Sequence, residues 1–276
     1  MKRTASAHLT LEALTPARLV LSVAVAADPG EANGAGEPDQ GLTVVERLTV
    51  TRRGAPVPVH EIVDQHGSRL HVADVPAGPV EVDYHVETAG QAAPETVNEV
   101  DLVRYLRPSR YCESDRLGPT AYAEFSGLAG LDLLAGVSSW VGRRLAYVPG
   151  ASLPTDGAVR TLLAREGVCR DYAHLVIALL RAMDVPARLV SVYAPGLAPM
   201  DFHAVAEAFV EGAWHVVDAT TLAPRQTLLR IATGRDAADT AFLTTIGGGV
   251  LFQDLAVTAV ADELPRDDVM ELVRLA

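Results

Sequence analysis

A cysteine that opens a strongly amphipathic helix is the feature that most constrains this chain of 276 residues. After Cys169, apolar side chains recur three or four residues apart, which predicts a helix with one face in a core. They are Val168, Tyr172, Leu175, Val176, Leu179, Leu180 and Met183. Cys169 falls in the first turn, where the positive end of the helix dipole favours the nucleophilic thiolate. Free cysteines are often buried and inert, so Cys169 needs partners before it indicates chemistry.

Two strands beyond this helix carry candidate partners for the thiol. The predicted strands cover residues 188–193, 203–210 and 214–217. The turn Glu211-Gly212 joins the last two, and a two-residue turn pairs Val210 with Ala213. In that register His203 and Asp218 are diagonal neighbours on one sheet face, with backbone positions about 7–8 Å apart. An imidazole and a carboxylate at that separation are within reach of a hydrogen bond.

The order cysteine, histidine, aspartate is what a cysteine nucleophile requires. His203 would share the thiol proton and later protonate a leaving amine, while Asp218 would hold the orientation of the imidazole. Taken singly, strand histidines and turn aspartates are common structural residues. Together the three positions predict a catalytic triad. His174 lies about 140° around the helix from Cys169 and is poorly placed as the base.

These residues resemble the bacterial transglutaminase-like superfamily of papain-type cysteine enzymes. The family pattern is a G-x-C-x-D-x-A box, then a strand beginning H-A, then W-x-x-x-D-x-T. Here the three parts fall at residues 167–173, 203–207 and 214–220. The tryptophan that often follows His-Ala is Val205, and the proline that usually follows the aspartate is Ala219. Neither position supplies catalytic chemistry, so these departures concern the substrate lining rather than the triad.

The resemblance implies an α+β fold, a papain-like transglutaminase core of helices on an antiparallel sheet, preceded by an antiparallel β domain. It covers about residues 100–250 and is weaker before them. We expect the β domain over residues 1–98 and the catalytic core over residues 99–276. Alternation over 80–86 supports a half-buried sheet in the first part, and residues 28–41 have the composition of an exposed loop. Further predictions are helices over 129–145, 158–166 and 267–276, and strands over 241–243 and 255–260.

A polar, turn-rich segment over residues 107–115 allows two interpretations. Arg110 or Tyr111 lines the substrate cleft, or the segment only connects the sheet to the helices, which its turn chemistry is enough to explain. The second cysteine of the chain, Cys112, is expected to be a bystander. Its neighbours Glu113 and Asp115 would raise the thiol pKa rather than lower it.

Composition and charge narrow the possible partners. The chain is 49% hydrophobic and 21% charged, as in a globular protein, and its net charge of -12 argues against nucleic acid or an anionic membrane as partner. No stretch approaches the roughly 18 apolar residues of a membrane span, and two cysteines indicate no disulfide framework, so we expect a cytoplasmic location. Animal transglutaminases with a similar core use calcium, but no acidic loop here has metal-ligand spacing, so no metal or organic cofactor is implied.

The predicted reaction is attack of Cys169 on an amide carbonyl of a peptide or protein substrate. The backbone N–H of Cys169 would be one donor to the oxyanion, and the sequence identifies no second donor. Hydrolysis of a peptide or isopeptide bond is the first interpretation, and transfer to an amine, as in a protein-glutamine transamidase, is the second. A non-catalytic peptide-binding or scaffold module is a third, although such a module has no need of all three triad residues.

Overall fold

The structure, a computed structural model, describes residues 1–27, 42–92 and 95–275, so the loop predicted over 28–41 lies outside the described residues. The strands of the first part are β1 (Lys2–Ala13), β2 (Ala17–Leu21), β3 (Thr43–Arg52), β4 (Ala55–Val57), β5 (His60–Val63), β6 (Arg69–Val75) and β7 (Gly78–Ala89). The helices are α1 (Glu99–Arg104), α2 (Ser114–Phe125), α3 (Gly130–Arg144), α4 (Ala158–Ala164) and α5 (Cys169–Ala182). The other strands are β8 (Ala146–Tyr147), β9 (Glu166–Gly167), β10 (Ala187–Tyr193), β11 (Phe202–Val210), β12 (Ala213–Val217), β13 (Leu229–Gly234), β14 (Leu243–Ile246) and β15 (Val250–Ala261). Helices and antiparallel sheets together give the expected α+β class.

Two antiparallel sheets make up the first part of the molecule. Their strand orders are β15-β1-β7-β3-β4 and β14-β2-β6-β5. Strands β1 and β7 bury every second side chain, and apolar side chains from both sheets share one core. The last two strands of the chain, β14 and β15, pair with β2 and β1. Residues 243–261 therefore complete the sheets of the first part, while the division of the chain at residue 98 stays a prediction.

Helix α5 lies at the centre of the second part, against the central antiparallel sheet β12-β11-β10-β13. Side chains from Asp171 to Arg181 are buried, and α5 shares one apolar core with α2, α3, α4, β10 and β11. Eleven consecutive buried residues cover every side of α5, so the helix is buried all round rather than along the one predicted face, and its apolar burial helps to hold helices and sheet together. Among the described residues no single helix is long and apolar enough to cross a membrane. Only α2 and α3 taken together, with a bend of 105° between them, match a span in length and composition.

The two parts of the molecule are joined through the central sheet. Tyr193 of β10 and Leu229 and Ile231 of β13 pack into the apolar core of the first two sheets. The Tyr193 hydroxyl also donates a hydrogen bond to the carbonyl oxygen of Val23 at 2.7 Å. Apolar burial and a buried hydrogen bond thus fix the sheet that carries β11 and β12 to the strand-rich part.

Several segments differ from the sequence-based expectations. The strand predicted over residues 241–243 lies instead at Leu243–Ile246. Helix α2 begins inside the segment predicted as turn-rich, because Gly118 and Pro119, both poor helix formers, conceal its periodicity. The helix predicted over residues 267–276 is wrong, since residues 267–275 are not helical. The Arg225 guanidinium donates to the carboxylate of Asp267 at 2.8 Å, and the N–H of Val216 donates to the carbonyl of Val273 at 2.8 Å. These bonds hold the segment along the sheet edge rather than in a helix.

A buried group of charged side chains crosses the central sheet beside its apolar core. The carboxylate of Glu207 accepts hydrogen bonds from Arg188 at 2.8 Å and from Arg230 at 2.7 Å, and the Glu207 side chain is almost completely buried. Burial alone raises the pKa of Glu207, but the two guanidinium groups outweigh it and hold the pKa below its usual value. Arg188 also pairs with Glu95 at 2.5 Å and lies 4.1 Å from the ring centroid of Trp214. Strand β11 is therefore fixed by charges as well as by packing.

We predict that Glu207→Gln destabilises the protein by about 3–5 kcal/mol, because it leaves two buried guanidinium groups without their shared carboxylate. Urea unfolding followed by circular dichroism measures the change. Asp74→Asn is the matched control, since Asp74 pairs with Arg18 in an exposed ion pair that contributes little. Equal losses of stability in the two variants would contradict the role given to Glu207.

Candidate active site

The turn before α5 is a folded unit that places Cys169. The carboxylate of Asp171 folds back and accepts a hydrogen bond from the Val168 N–H at 2.8 Å, and it accepts another from the Ser152 hydroxyl at 2.9 Å. A Cβ on Gly167 would lie only 2.7 Å from the Asp171 Cβ, so glycine is the residue that allows this close approach. The glycine and aspartate of the G-x-C-x-D box are thus explained by the start of the helix.

Cys169 is the first residue of α5, and its side chain is partly exposed. Its backbone N–H donates to no backbone carbonyl in the part of the chain that the structure describes. N–H groups in the first turn of a helix lack intrahelical partners and carry the positive end of the helix dipole. A thiol and a free N–H donor therefore stand side by side at the helix start.

The β11–β12 hairpin brings His203 and Asp218 together. Val210 pairs with Ala213 as predicted, across the turn formed by Glu211 and Gly212. The Nε2 atom of His203 lies 2.9 Å from Oδ2 of Asp218, and both side chains are almost completely buried.

The second carboxylate oxygen of Asp218 is held from the loop that follows β12. It accepts hydrogen bonds from the N–H of Thr220 at 2.8 Å and from the Thr220 hydroxyl at 2.7 Å. With all these bonds made, the carboxylate has one orientation, and so has the imidazole that it holds.

The buried pair of His203 and Asp218 is more stable when the imidazole is protonated and the carboxylate is ionised. Burial by itself lowers the pKa of His203, but the charge and hydrogen bond of Asp218, with contributions from the Cys169 thiol, raise this pKa to about 10. Burial likewise raises the pKa of Asp218, while His203 and the two bonds from Thr220 lower it below its usual value. At neutral pH the site therefore holds an imidazolium beside a carboxylate.

The other ring nitrogen of His203, Nδ1, is buried and has no hydrogen-bond partner among the described residues. The Cys169 thiol lies near enough to the ring to raise the His203 pKa. Since Asp218 occupies Nε2, the thiol is on the Nδ1 side. The structure thus brings the three predicted residues together, while their catalytic roles stay predictions.

Two residues beside the thiol and the imidazole escaped the sequence analysis. Tyr147 lies next to Cys169. The Asp201 carboxylate is close enough to both Tyr147 and His203 to interact with each of them by charge. Both fall in segments that the sequence presents as loops rich in proline and glycine. Such loops have neither the helical period of three or four residues nor the strand period of two, so hydrophobic periodicity does not reveal which of their side chains reach the site.

Arg110 and Tyr111 lie in the segment before α2 and pack beside His174 of α5 rather than beside Cys169. The Tyr111 ring stacks on His174 at 5.1 Å, and the exposed Arg110 guanidinium lies 5.1 Å from the Tyr111 ring centroid. Five residues of α5 separate this stack from Cys169, a rise of about 7.5 Å. A role of Arg110 or Tyr111 in substrate binding stays a prediction.

His174 and Cys112 have the environments of structural residues. His174 is fully buried, accepts a hydrogen bond from the Ala237 N–H at 3.1 Å and has a pKa lowered by burial to about 3. It is therefore neutral and held in place. Burial also raises the pKa of the Cys112 thiol to about 12, the direction that the sequence predicted, although its acidic neighbours are minor causes. In the described ranges, no three His, Cys, Asp or Glu side chains are grouped so as to hold a metal ion.

Comparison with known proteins identifies the family. The family profile described as the transglutaminase-like superfamily matches residues 129–219. The crystal structure of a candidate cysteine protease from Cytophaga hutchinsonii has 30% sequence identity and a TM-score of 0.82, covering 96% of this chain and 92% of that one. An uncharacterized protein of Mycobacterium leprae is 30% identical over 148 residues, and one of Mycobacterium tuberculosis is 40% identical over 63 residues.

The curated relatives are matched only in part. The aligned regions cover 50% of this chain and 48% of the Mycobacterium leprae protein, and 23% of this chain and 20% of the Mycobacterium tuberculosis protein. The Cytophaga structure, in contrast, is similar over almost the whole length of both chains. The family profile covers Cys169, His203 and Asp218. The chain belongs to the transglutaminase-like superfamily, as the residues of its three motifs predicted.

Proposed function

We propose that this protein is a cysteine peptidase or amidase that hydrolyses a peptide or isopeptide bond through Cys169, His203 and Asp218. Its family and fold support acyl transfer by a cysteine in general. One observation carries the specific proposal: the His203 ring has one nitrogen on Asp218 at 2.9 Å and the other on the side of the Cys169 thiol. A histidine with a purely structural role has no need of two such partners, a thiol at the start of a helix on one side and a buried carboxylate on the other.

The chemistry follows from these positions. The Cys169 thiolate attacks the carbonyl carbon of the amide, and the electron pair of the C=O bond moves to the oxygen beside the free N–H of Cys169. The imidazolium of His203 then gives its Nδ1 proton to the leaving amine, and the C–N bond breaks to leave a thioester on Cys169. Neutral His203 takes a proton from an attacking water, and collapse of the second intermediate restores the thiolate and the imidazolium.

Hydrolysis rather than amine transfer is supported by the openness of the site on the thiol side. Cys169 is partly exposed, and the neighbouring Tyr147 side chain is 41% exposed. Water at its bulk concentration therefore reaches a thioester at this position. Transfer to an amine requires a cleft that excludes water, and transamidation is accordingly the second candidate.

We predict that iodoacetamide alkylates Cys169 at pH 6 about 10²-fold faster in the natural protein than in His203→Gln, because the thiolate is the reactive form and His203→Gln removes the positive charge that stabilises it. The raised pKa of His203, about 10, keeps the imidazolium charged over this range, so the rate in the natural protein changes little between pH 6 and 8. Peptide mapping by mass spectrometry separates Cys169 from the buried Cys112.

His215→Gln is the matched control for that comparison, since His215 is also a buried histidine of the β11–β12 hairpin. It should leave the pH profile of alkylation unchanged. If Cys169 in the natural protein reacts like a free thiol at every pH, the proposed function fails and a peptide-binding module becomes the better interpretation.

We predict that acyl groups on Cys169 go mainly to water. The protein is incubated with a mixture of synthetic peptides, with and without millimolar cadaverine, and the products are identified by mass spectrometry. Cleaved peptides in both samples, absent with Cys169→Ala, are the expected result. Cadaverine adducts on glutamine side chains as the main product would instead assign the protein as a transamidase.

A further inference from the structure

The main chain fixes Tyr147 next to the start of α5. The two-residue strands β8 and β9 pair in parallel, with Tyr147 opposite Gly167, and the N–H of Val148 donates to the Gly167 carbonyl at 3.0 Å. Gly167 is two residues before Cys169 and is itself held by the close approach of Asp171. Tyr147 is thereby attached to the same folded turn that places the thiol.

The side chain of Tyr147 is supported by a second tyrosine. Its ring lies 6.0 Å from the ring of Tyr172, which is three residues beyond Cys169 on the same helix. The contact is made by the Tyr172 ring, while the Tyr172 hydroxyl donates to the carbonyl of Leu145 at 2.8 Å. Packed in this way, the Tyr147 side chain lies close enough to Cys169 for the charge of Cys169 to affect the Tyr147 pKa.

The hydroxyl is suited to donate a hydrogen bond to a developing negative charge. Burial, followed by the charge of Cys169, raises the pKa of Tyr147 to about 12, so the group keeps its proton at all working pH values. Tyr147 is 41% exposed and Cys169 is partly exposed, so a substrate can approach both residues from solvent. A neutral O–H and the free N–H of Cys169 therefore converge on one place.

We propose that Tyr147 is the second donor of the oxyanion hole, a catalytic residue whose O–H acts together with the N–H of Cys169. This inference rests on the proposed function. As the sulfur–carbon bond forms, the electron pair of the C=O bond moves to the oxygen, and the Tyr147 hydroxyl turns from Cys169 to that oxygen. When the bond to the leaving group breaks, the pair returns and the hydroxyl is released without having lost its proton.

Two small reagents separate this role from mere support of the thiol. Acylation of Cys169 by p-nitrophenyl acetate passes through a tetrahedral oxyanion and releases p-nitrophenolate, whereas alkylation by iodoacetamide displaces iodide and forms no oxyanion. Both rates are measured on the full chain for the natural protein and for Tyr147→Phe. Tyr172→Phe is the matched control, because it removes a neighbouring hydroxyl that bonds to Leu145 instead of facing the thiol.

We predict that Tyr147→Phe lowers the acylation rate at least about tenfold and changes the alkylation rate less than about threefold, since removing one oxyanion donor typically costs 10²–10³ in rate. Tyr172→Phe should change neither rate by more than about threefold. An unchanged or faster acylation in Tyr147→Phe, or an equal fall of both rates, overturns the assignment.

Failure of the proposed function itself has a different signature. In that case Cys169 of the natural protein shows no reactivity that depends on His203, whatever residue stands at position 147. If the dependence on His203 holds and acylation does not depend on Tyr147, only the second donor is wrong.

Discussion

A one-residue slip in the hairpin between β11 and β12 would turn Asp218 away from His203, and the rest of the site depends on that register. A two-residue turn with Val210 opposite Ala213 leaves the pairing no freedom, because a slip moves every side chain to the other face of the strand. Strand β11 also carries Glu207, whose bond to Arg188 depends on the register between β10 and β11 and not on the hairpin. One strand thus contributes both to a structural charge cluster and to the orientation of an imidazole.

The site also shows how burial and pairing decide a protonation state. His203 and Asp218 are both out of contact with water, which disfavours charge on each of them separately. Their mutual attraction, with Thr220 satisfying the second oxygen, outweighs that cost and makes the imidazolium the resident form. His174 is equally buried, accepts a hydrogen bond from the Ala237 N–H and stacks on Tyr111; there the cost of burial outweighs the charge of nearby Asp236, so His174 stays neutral. Two histidines within one core therefore differ through their partners, not through their exposure.

Much of the site could be predicted from the hydrophobic periodicity of the sequence. The spacing of apolar residues after Cys169 predicted α5, and alternation with a Glu-Gly turn predicted the hairpin, so the sequence alone was enough to make His203 and Asp218 neighbours. Other features are set by contacts that no local pattern contains. Tyr147 approaches the thiol through a two-residue parallel pair, and the return of β14 and β15 to the first strands joins segments more than 200 residues apart. The tail from residue 267 has helical composition, but its bonds to Arg225 and Val216 hold it in a non-helical conformation.

If His203 is a charged imidazolium shared between Asp218 and Cys169, NMR of the histidine ring nitrogens will show a proton on both of its nitrogens. Long-range ¹H–¹⁵N spectra recorded from pH 5 to 10.5, with His203 assigned from His203→Gln, report the protonation of both ring nitrogens. We expect His203 to stay doubly protonated through pH 8 and to titrate near pH 10, while His174 remains neutral throughout. A neutral His203 at pH 7.5, titrating at or below the ordinary value of 6.5, would contradict this expectation.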